Sequence, residues 1–490
     1  EPFGNWKTPS VSSASLASLV ADANSNAPYP ITAIDAYQKR LYVAVATSST
    51  PTGPNGVATA AEDSSFGTLA WSNVSNVLTA NGVSANRTMS GTGSTRYIKA
   101  TNFAFAIPPG SDILGIKVEI AKNRTGGSKG EVLDSRVRIV KAGIIGAIDR
   151  SSGSNWTTSV TTPLPYTTYG SATDLWGDSW TPADINNTGF GVALSAMGSS
   201  GTTDRIANVD HVRITVYYTK NLYILNASNP ASLTFMGGVA TSTVAGINAL
   251  AVATSTIGSY VYAATASTDG TKQLQIIDVG TPSAPFVRST YPTSVGQDSM
   301  GRGTGNAIFY RDGYVYLGLT TGTGGTEFNI IDGTKPSAPA RVGGYAVGSA
   351  VNAIYVKDGY AYLTTNDTSQ ELVVLNVTNP AAPTFVGRYD AKLDNGATFG
   401  YGRAFYKTGD TVYLGRSWVG NIANAPELSV LNTTSLPITL ATSTDVGPNT
   451  TNPFSLNGVV VRNSLQYLLL GSATNGGKLL IQNANSSGQW

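Results

Sequence analysis

One short phrase recurs along this chain and restricts its fold more than any other feature. It reads Leu222-Tyr-Ile-Leu-Asn226, Leu274-Gln-Ile-Ile-Asp278, Phe328-Asn-Ile-Ile-Asp332, Leu372-Val-Val-Leu-Asn376, Leu428-Ser-Val-Leu-Asn432 and Leu479-Leu-Ile-Gln-Asn483. A repeat of about fifty residues means that one supersecondary unit is copied and stacked. After three copies comes a proline-bearing turn, Thr281-Pro-Ser-Ala-Pro285, Lys335-Pro-Ser-Ala-Pro339 and Asn379-Pro-Ala-Ala-Pro383, where proline's fixed φ suits the reversal. Before the phrase lies a hairpin with alternating aromatics, as in Tyr260-Val-Tyr262, Tyr314-Val-Tyr316 and Tyr360-Ala-Tyr362. Asp312-Gly313 and Asp358-Gly359 supply turn residues that tolerate positive φ.

Each unit therefore reads as four short antiparallel strands. Six such units predict a six-bladed β-propeller, with a solenoid as the structural alternative. The phrase, clearest as Leu372-Val-Val-Leu-Asn376 with Asn379-Pro380 behind it, resembles the LVIVD-repeat family of β-propellers over residues 31 to 47 and 221 to 490. The resemblance implies a fold and an extracytoplasmic setting, and it transfers no catalytic residues.

The first hairpin, Ile31-Thr-Ala-Ile-Asp35 to Leu41-Tyr-Val-Ala-Val45, meets its phrase only at Leu222, where elsewhere about a dozen residues intervene. Residues 56–219 are accordingly expected to form a second domain inserted into blade one, between 31–55 and 220–490, behind an extended N-terminal segment, 1–30. Alternation in Tyr97 to Phe105, Ile113 to Ile120, Arg136 to Val140, Gly189 to Leu194 and His211 to Tyr218 predicts half-buried strands of a β-sandwich. Ile113-Leu-Gly-Ile-Lys-Val-Glu119, Leu175-Trp-Gly177, Trp180-Thr-Pro182 and Val209 to Tyr218 resemble a jelly-roll-type module of bacterial secreted and phage-associated proteins. The expected class is all-β: a six-bladed propeller with a jelly-roll-like sandwich inserted in its first blade. The last unit ends at Trp490 without a fourth strand. Residues 6 to 19, with Trp6, Val11, Leu16 and Leu19 as apolar positions, are expected to close that blade or to pair with a neighbouring subunit.

Charged residues make up 12% of the chain, with a net charge of +2, so the surface is built from hydroxyls and amides. No basic run gives nucleic acid a footprint. Cysteine is absent, which removes disulfides, thiolate metal sites and cysteine nucleophiles. No run of about 18 apolar residues occurs, so no membrane span is expected. The chain opens on Glu1 rather than Met, which predicts removal of a leader or anchor.

The single histidine, His211, stands in Val209-Asp210-His211-Val212-Arg213 with no Gly-x-Ser-x-Gly elbow to serve, and reads as structural. No catalytic residue, metal site or cofactor is assigned. Asp278 and Asp332, with Asn226, Asn376, Asn432 and Asn483, stand where calcium ligands could be imagined, but their place before a turn favours Asx capping. Trp71, Trp156, Trp176, Trp180 and Trp418 read as packing rather than sugar platforms. Asn-x-Ser/Thr sequons make Asn73, Asn86, Asn123, Asn155, Asn186, Asn366, Asn432 and Asn449 candidate glycosylation sites. Asn226, Asn376 and Asn485 also stand in sequons.

The function expected is that of a non-enzymatic extracellular structural protein, a subunit of a cell-surface filament or layer or its adhesive outward-facing part. Its partners would be copies of itself, other surface proteins or glycans. A glycan- or ligand-binding surface module is the alternative, and a secreted hydrolase or lyase the third reading.

Overall fold

A computed structural model describes residues 31–45, 50–107, 110–126, 130–162, 164–199, 204–229, 231–241, 246–255, 257–268, 270–391, 400–417, 426–434, 438–444, 446, 455–472 and 476–483. Within them the chain is nearly all-β. Short helical turns at Val74–Leu78, Pro182–Asn186 and Gln297–Ser299 are the exceptions.

Six antiparallel sheets among the described residues share one order, in which each recurring phrase is the third strand. The first contains Ile31–Tyr37, Arg40–Val45, Leu222–Asn226 and Thr234–Val239. The second contains Ile247–Ser255, Gly258–Thr265, Leu274–Asp278 and Phe286–Tyr291. Gly305–Arg311, Tyr314–Leu319, Phe328–Asp332 and Ala340–Tyr345 make the third. Val351–Lys357, Tyr360–Thr365, Leu372–Asn376 and Thr384–Tyr389 make the fourth. The fifth contains Gly402–Thr408, Thr411–Arg416, Leu428–Asn432 and Thr439–Thr444. The sixth has three strands, Ser455–Arg462, Leu465–Ser472 and Gly476–Asn483.

The phrase reads as a continuous apolar run because both of its faces are covered. Ile276 faces the third sheet, in one core with Val315 and Leu317, while Ile277 faces the first, in one core with Tyr42 and Leu222. The same division joins the third sheet to the fourth, the fourth to the fifth and the fifth to the sixth. Each fully buried Leu or Ile contributes about 1.5–3 kcal/mol.

Two polar devices repeat with the sheets. First strands carry a β-bulge, and in three of them the bulged asparagine donates to the next sheet's first strand: Asn248 to the Gly305 carbonyl at 2.8 Å, Asn306 to Val351 at 2.9 Å and Asn352 to Gly402 at 2.6 Å. The residue just before the phrase latches the loop that leaves the fourth strand. Asn221 Oδ1 accepts from the Thr241 amide, and Gln273 Nε2 donates to Gly301 and Gly303. Side-chain carboxyl oxygens of Glu327, Glu371 and Glu427 accept from the amides of Val347, Ala391 and Val446.

Between the second and third strands of the first sheet, the chain builds two further five-stranded sheets. The front sheet runs Tyr166–Gly170, Asp112–Thr125, Arg205–Thr219 and Thr50–Gly56, with Ala85–Met89 also on Arg205–Thr219. The back sheet runs Thr59–Asp63, Tyr97–Thr101, Gly191–Gly198, Val132–Lys141 and Ile144–Ile145. One apolar core joins them, with Ile116, Val118 and Ile214 from the front and Ile98, Val137 and Val192 from the back.

Three sequence expectations about this region need correction. Thr50–Gly56, expected to belong with residues 31–55, pairs with Arg205–Thr219, so the two-sheet body starts by residue 50. Its Thr-Pro-Thr-Gly-Pro-Asn-Gly sequence has no alternation to reveal a strand. The strand expected to reach Phe105 ends at Thr101, because Asn102 (φ 60°) and Ala104 (φ 51°) adopt left-handed backbone. The strand expected from Gly189 starts at Gly191, after a turn in which the Phe190 amide donates to the Asn187 carbonyl.

Candidate functional site

On Arg205–Thr219 the alternation sends Ala207 and Val209 into the core and leaves Asn208 on the outer face of the front sheet. Asn208 lies opposite Asn123 on one side and Asn86 on the other, so three asparagines form a row across three strands. Asn208 Nδ2 donates to Asn123 Oδ1 and to Thr125 Oγ1, both at 3.0 Å, and Asn123 Nδ2 donates to the Ser159 carbonyl at 2.7 Å. This row floors a groove of about 400 Å³, lined also by Asn73, Asn76, Val83, Val160, Thr162 and Leu164. Val83 and Val160 are 56% and 72% exposed, forming apolar lips above an amide floor. The lining residues carry no ionisable side chain. The groove can therefore exchange hydrogen bonds with a neutral, hydroxyl-rich molecule, and its own lining supplies no acid or base.

Asp210, fully buried, shapes one wall by accepting from the amides of Asn81 and Gly82. Beside the row, His211 Nδ1 pairs with the Tyr166 hydroxyl at 2.8 Å. The Arg213 guanidinium lies over the Tyr166 ring at 3.8 Å and donates to Glu119. Burial pushes the His211 pKa down, which favours the neutral imidazole. His211 thus completes a packed polar surface.

The candidate glycosylation sites fall in different surroundings. Asn73, Asn155, Asn186, Asn366 and Asn432 are exposed and Asn86 is half-buried. Asn186 bonds Ile107 through both ends of its amide, and Asn366 Oδ1 accepts from Asn352. Asn123 is corrected: at 3% exposure, with both ends of its amide engaged, it leaves no room for a glycan in the folded chain. Trp6, Val11, Leu16, Leu19, Trp418, Asn449 and Asn485 lie outside the described residues. Trp71, Trp156, Trp176 and Trp180 are buried, each indole N–H donating to a carbonyl or carboxylate. The residues that close the phrases form Asx turns: Asn226, Asp278, Asp332, Asn376 and Asn432 each accept the amide two positions on. The asparagine row escaped the sequence reading, which weighed Asn86 and Asn123 only as sequons. The register of three strands aligns them, and a single strand's pattern does not contain it.

The LVIVD repeat matches residues 217–241, 251–293 and 348–391, which take in the phrase strands of the first, second and fourth of the six sheets. This chain carries LVIVD repeats. The phrases at Phe328 and Leu428 lie outside the matched segments, yet form the third strand of the same sheet order. No curated protein matches the chain. Solved structures similar to it include BamB from Moraxella catarrhalis, at 18% identity and TM-score 0.32 over 54% of this chain and 80% of that one. The nidogen/laminin complex is similar at 9% identity and TM-score 0.32, over 51% and 85%. The Bacteroides ovatus xyloglucan PUL GH43B is similar at 16% identity and TM-score 0.30, over 48% and 51%.

Proposed function

We propose that this chain is an extracellular structural protein, a subunit of a cell-surface filament or layer, built as a six-bladed propeller with a β-sandwich inserted in its first blade. The observation that carries this reading is the sixth sheet. It has three strands among the described residues where the other five have four, so Gly476–Asn483 is its outermost described strand and a fourth would come from residues beyond them. One of its faces exposes Val460, Leu469, Leu479 and Ile481. An exposed apolar face of this size calls for a further sheet to cover it.

The first sheet is the natural cover for that face, because its own outer side is apolar, with Ile34 half exposed and Leu41 beside Val43. Asn457 occupies the bulge position of Asn248, Asn306 and Asn352, and would donate to the Ile31 carbonyl on ring closure. On this reading residues 6 to 19, which lie outside the described residues, would supply a fourth strand to the same chain or to a neighbour, and donation between neighbours would link subunits. Asn73, Asn155 and Asn432 would carry glycans on such a surface.

Negative-stain electron microscopy of the full chain, beside a version lacking residues 1–30, tests the reading. Filaments or sheets that vanish on truncation are expected. Single particles in both samples would sink the assembly role.

The groove of the front sheet favours a second reading, a glycan-binding surface module. Its amide floor suits sugar hydroxyls and its valine lips suit the apolar face of a pyranose. Retention on a glycan array that is lost on Asn208→Ala would support it, and an array without retention would remove it.

A further inference from the structure

In a chain with few charges, one lysine and one aspartate are packed together inside the two-sheet core. Lys122 is on front-sheet strand Asp112–Thr125 and Asp134 on back-sheet strand Val132–Lys141, and their side chains are 3% and 0% exposed. Lys122 Nζ contacts Asp134 Oδ1 and the Tyr169 hydroxyl. It also lies 4.6 Å from the centre of the Trp156 ring and 5.1 Å from that of Tyr169. Besides Lys122, three donors converge on the carboxyl: Trp156 Nε1 on Oδ1 at 2.8 Å, the Tyr169 hydroxyl on Oδ2 at 2.8 Å and the Ser152 amide on Oδ2 at 3.0 Å.

Holding two opposite charges here is costly, because burial strips the hydration from both ions. Moving the proton from the amine to the carboxyl removes both charges and leaves a nucleophile against an electrophile. Burial pushes Lys122 toward the neutral amine, and burial together with the Asp134 charge keeps the Tyr169 phenol protonated.

We propose that Lys122 and Asp134 join in an intramolecular amide bond that staples the front sheet to the back sheet. A first proton passes from Lys122 Nζ through the Tyr169 hydroxyl to Asp134 Oδ2, and the freed nitrogen attacks Cγ, forming the N–C bond and shifting the Cγ–Oδ1 π electron pair onto Oδ1. The Trp156 N–H stabilises that developing charge, as a donor aimed at an oxyanion does. Tyr169 touches both reacting groups: its hydroxyl then takes a second proton from the nitrogen and passes its own to Oδ2, which now carries the two protons of the leaving water. The Cγ–Oδ2 bond then breaks and one water leaves. No oxidant or other co-reactant is consumed, and the neighbouring aromatic rings keep bulk water from the product amide. The proposal goes beyond the structural-subunit reading and does not depend on it.

Mass spectrometry of the denatured full chain, after removal of any N-glycans, decides the matter. The mass should lie about 18 Da below that of the sequence, the loss of one water, and digestion should yield one branched peptide carrying both Lys122 and Asp134. Full mass, with the two residues recovered in separate linear peptides, would overturn the proposal and leave an ordinary buried ion pair. Lys122→Arg should restore the full mass, and a deficit that survives it places the dehydration elsewhere and overturns the assignment. Tyr169→Phe should slow linkage after refolding by roughly tenfold or more, as expected for loss of a proton relay. An unchanged rate would remove Tyr169 from the reaction.

Discussion

At Asn376 a single side chain decides how a strand ends. Its Oδ1 accepts from the Thr378 amide at 2.9 Å and from the Thr378 hydroxyl at 2.6 Å, turning the chain out of the phrase and toward the proline turn. Asn376→Ala should cost about 1 kcal/mol, the scale of one lost capping bond, whereas Asn376→Asp should be nearly neutral. Urea unfolding of the three proteins checks this, and equal losses in both variants would count against turn capping. The first hairpin makes the complementary point. Gln38 (φ 47°) and Lys39 (φ 63°) hold the left-handed backbone that Asp312-Gly313 and Asp358-Gly359 adopt at equivalent turns. Replacing Gln38-Lys39 by Asn-Gly should stabilise the protein by about 0.5–1 kcal/mol, measured as a raised urea midpoint with an unchanged slope.

The latch before each phrase belongs to the element rather than to the residue. Asn221, Gln273, Glu327, Glu371 and Glu427 each tie an outgoing loop to the sheet it has just left. Glu371 is buried, and desolvation raises its pKa from 4.5 to about 7. Its carboxyl is protonated in the fold under conditions where the unfolded chain ionises it. That difference favours the fold at low pH, and the advantage is lost as pH rises from about 4.5 through about 7. Glu371→Gln keeps an acceptor for Ala391 without the charge. Its melting temperature should match the parent's near pH 4.5 and exceed it at pH 8, by an amount worth roughly 1–3 kcal/mol. A difference independent of pH would show that burial of the carboxyl does not set its titration.

At the scale of the whole molecule the question is how a row of six sheets ends. Consecutive sheets share apolar cores from the first to the sixth. Ring closure on the first sheet would make Asn457 a fourth bulge donor. Asn457→Ala should then destabilise the protein by about 1 kcal/mol, as one lost hydrogen bond does, with Asn306→Ala as the internal standard. No effect of Asn457→Ala beside a clear effect of Asn306→Ala would argue for an open row. Leu479→Lys, on the exposed face, should abolish filaments if that face is covered in the assembly. Sedimentation of the variant against the parent reads this directly.

The sequence by itself determined what local chemistry controls. An apolar run copied at a fixed period, Asp-Gly between aromatic strands and Asn or Asp ahead of a turn act through a few neighbouring residues, and the phrases, hairpins and Asx turns follow from them. Alternation likewise located the main strands between residues 97 and 218. Tertiary structure alone decided the pairings that matter chemically. Asn208 meets Asn86 and Asn123 because register aligns three strands, and Thr50–Gly56 is a strand because Arg205–Thr219 gives it a partner. Lys122 and Asp134 are ordinary charged residues in the sequence, twelve positions apart. Only the packing of two sheets face to face strips both of water and presses them together, because burial depends on which strands meet and not on the order of residues along any one of them.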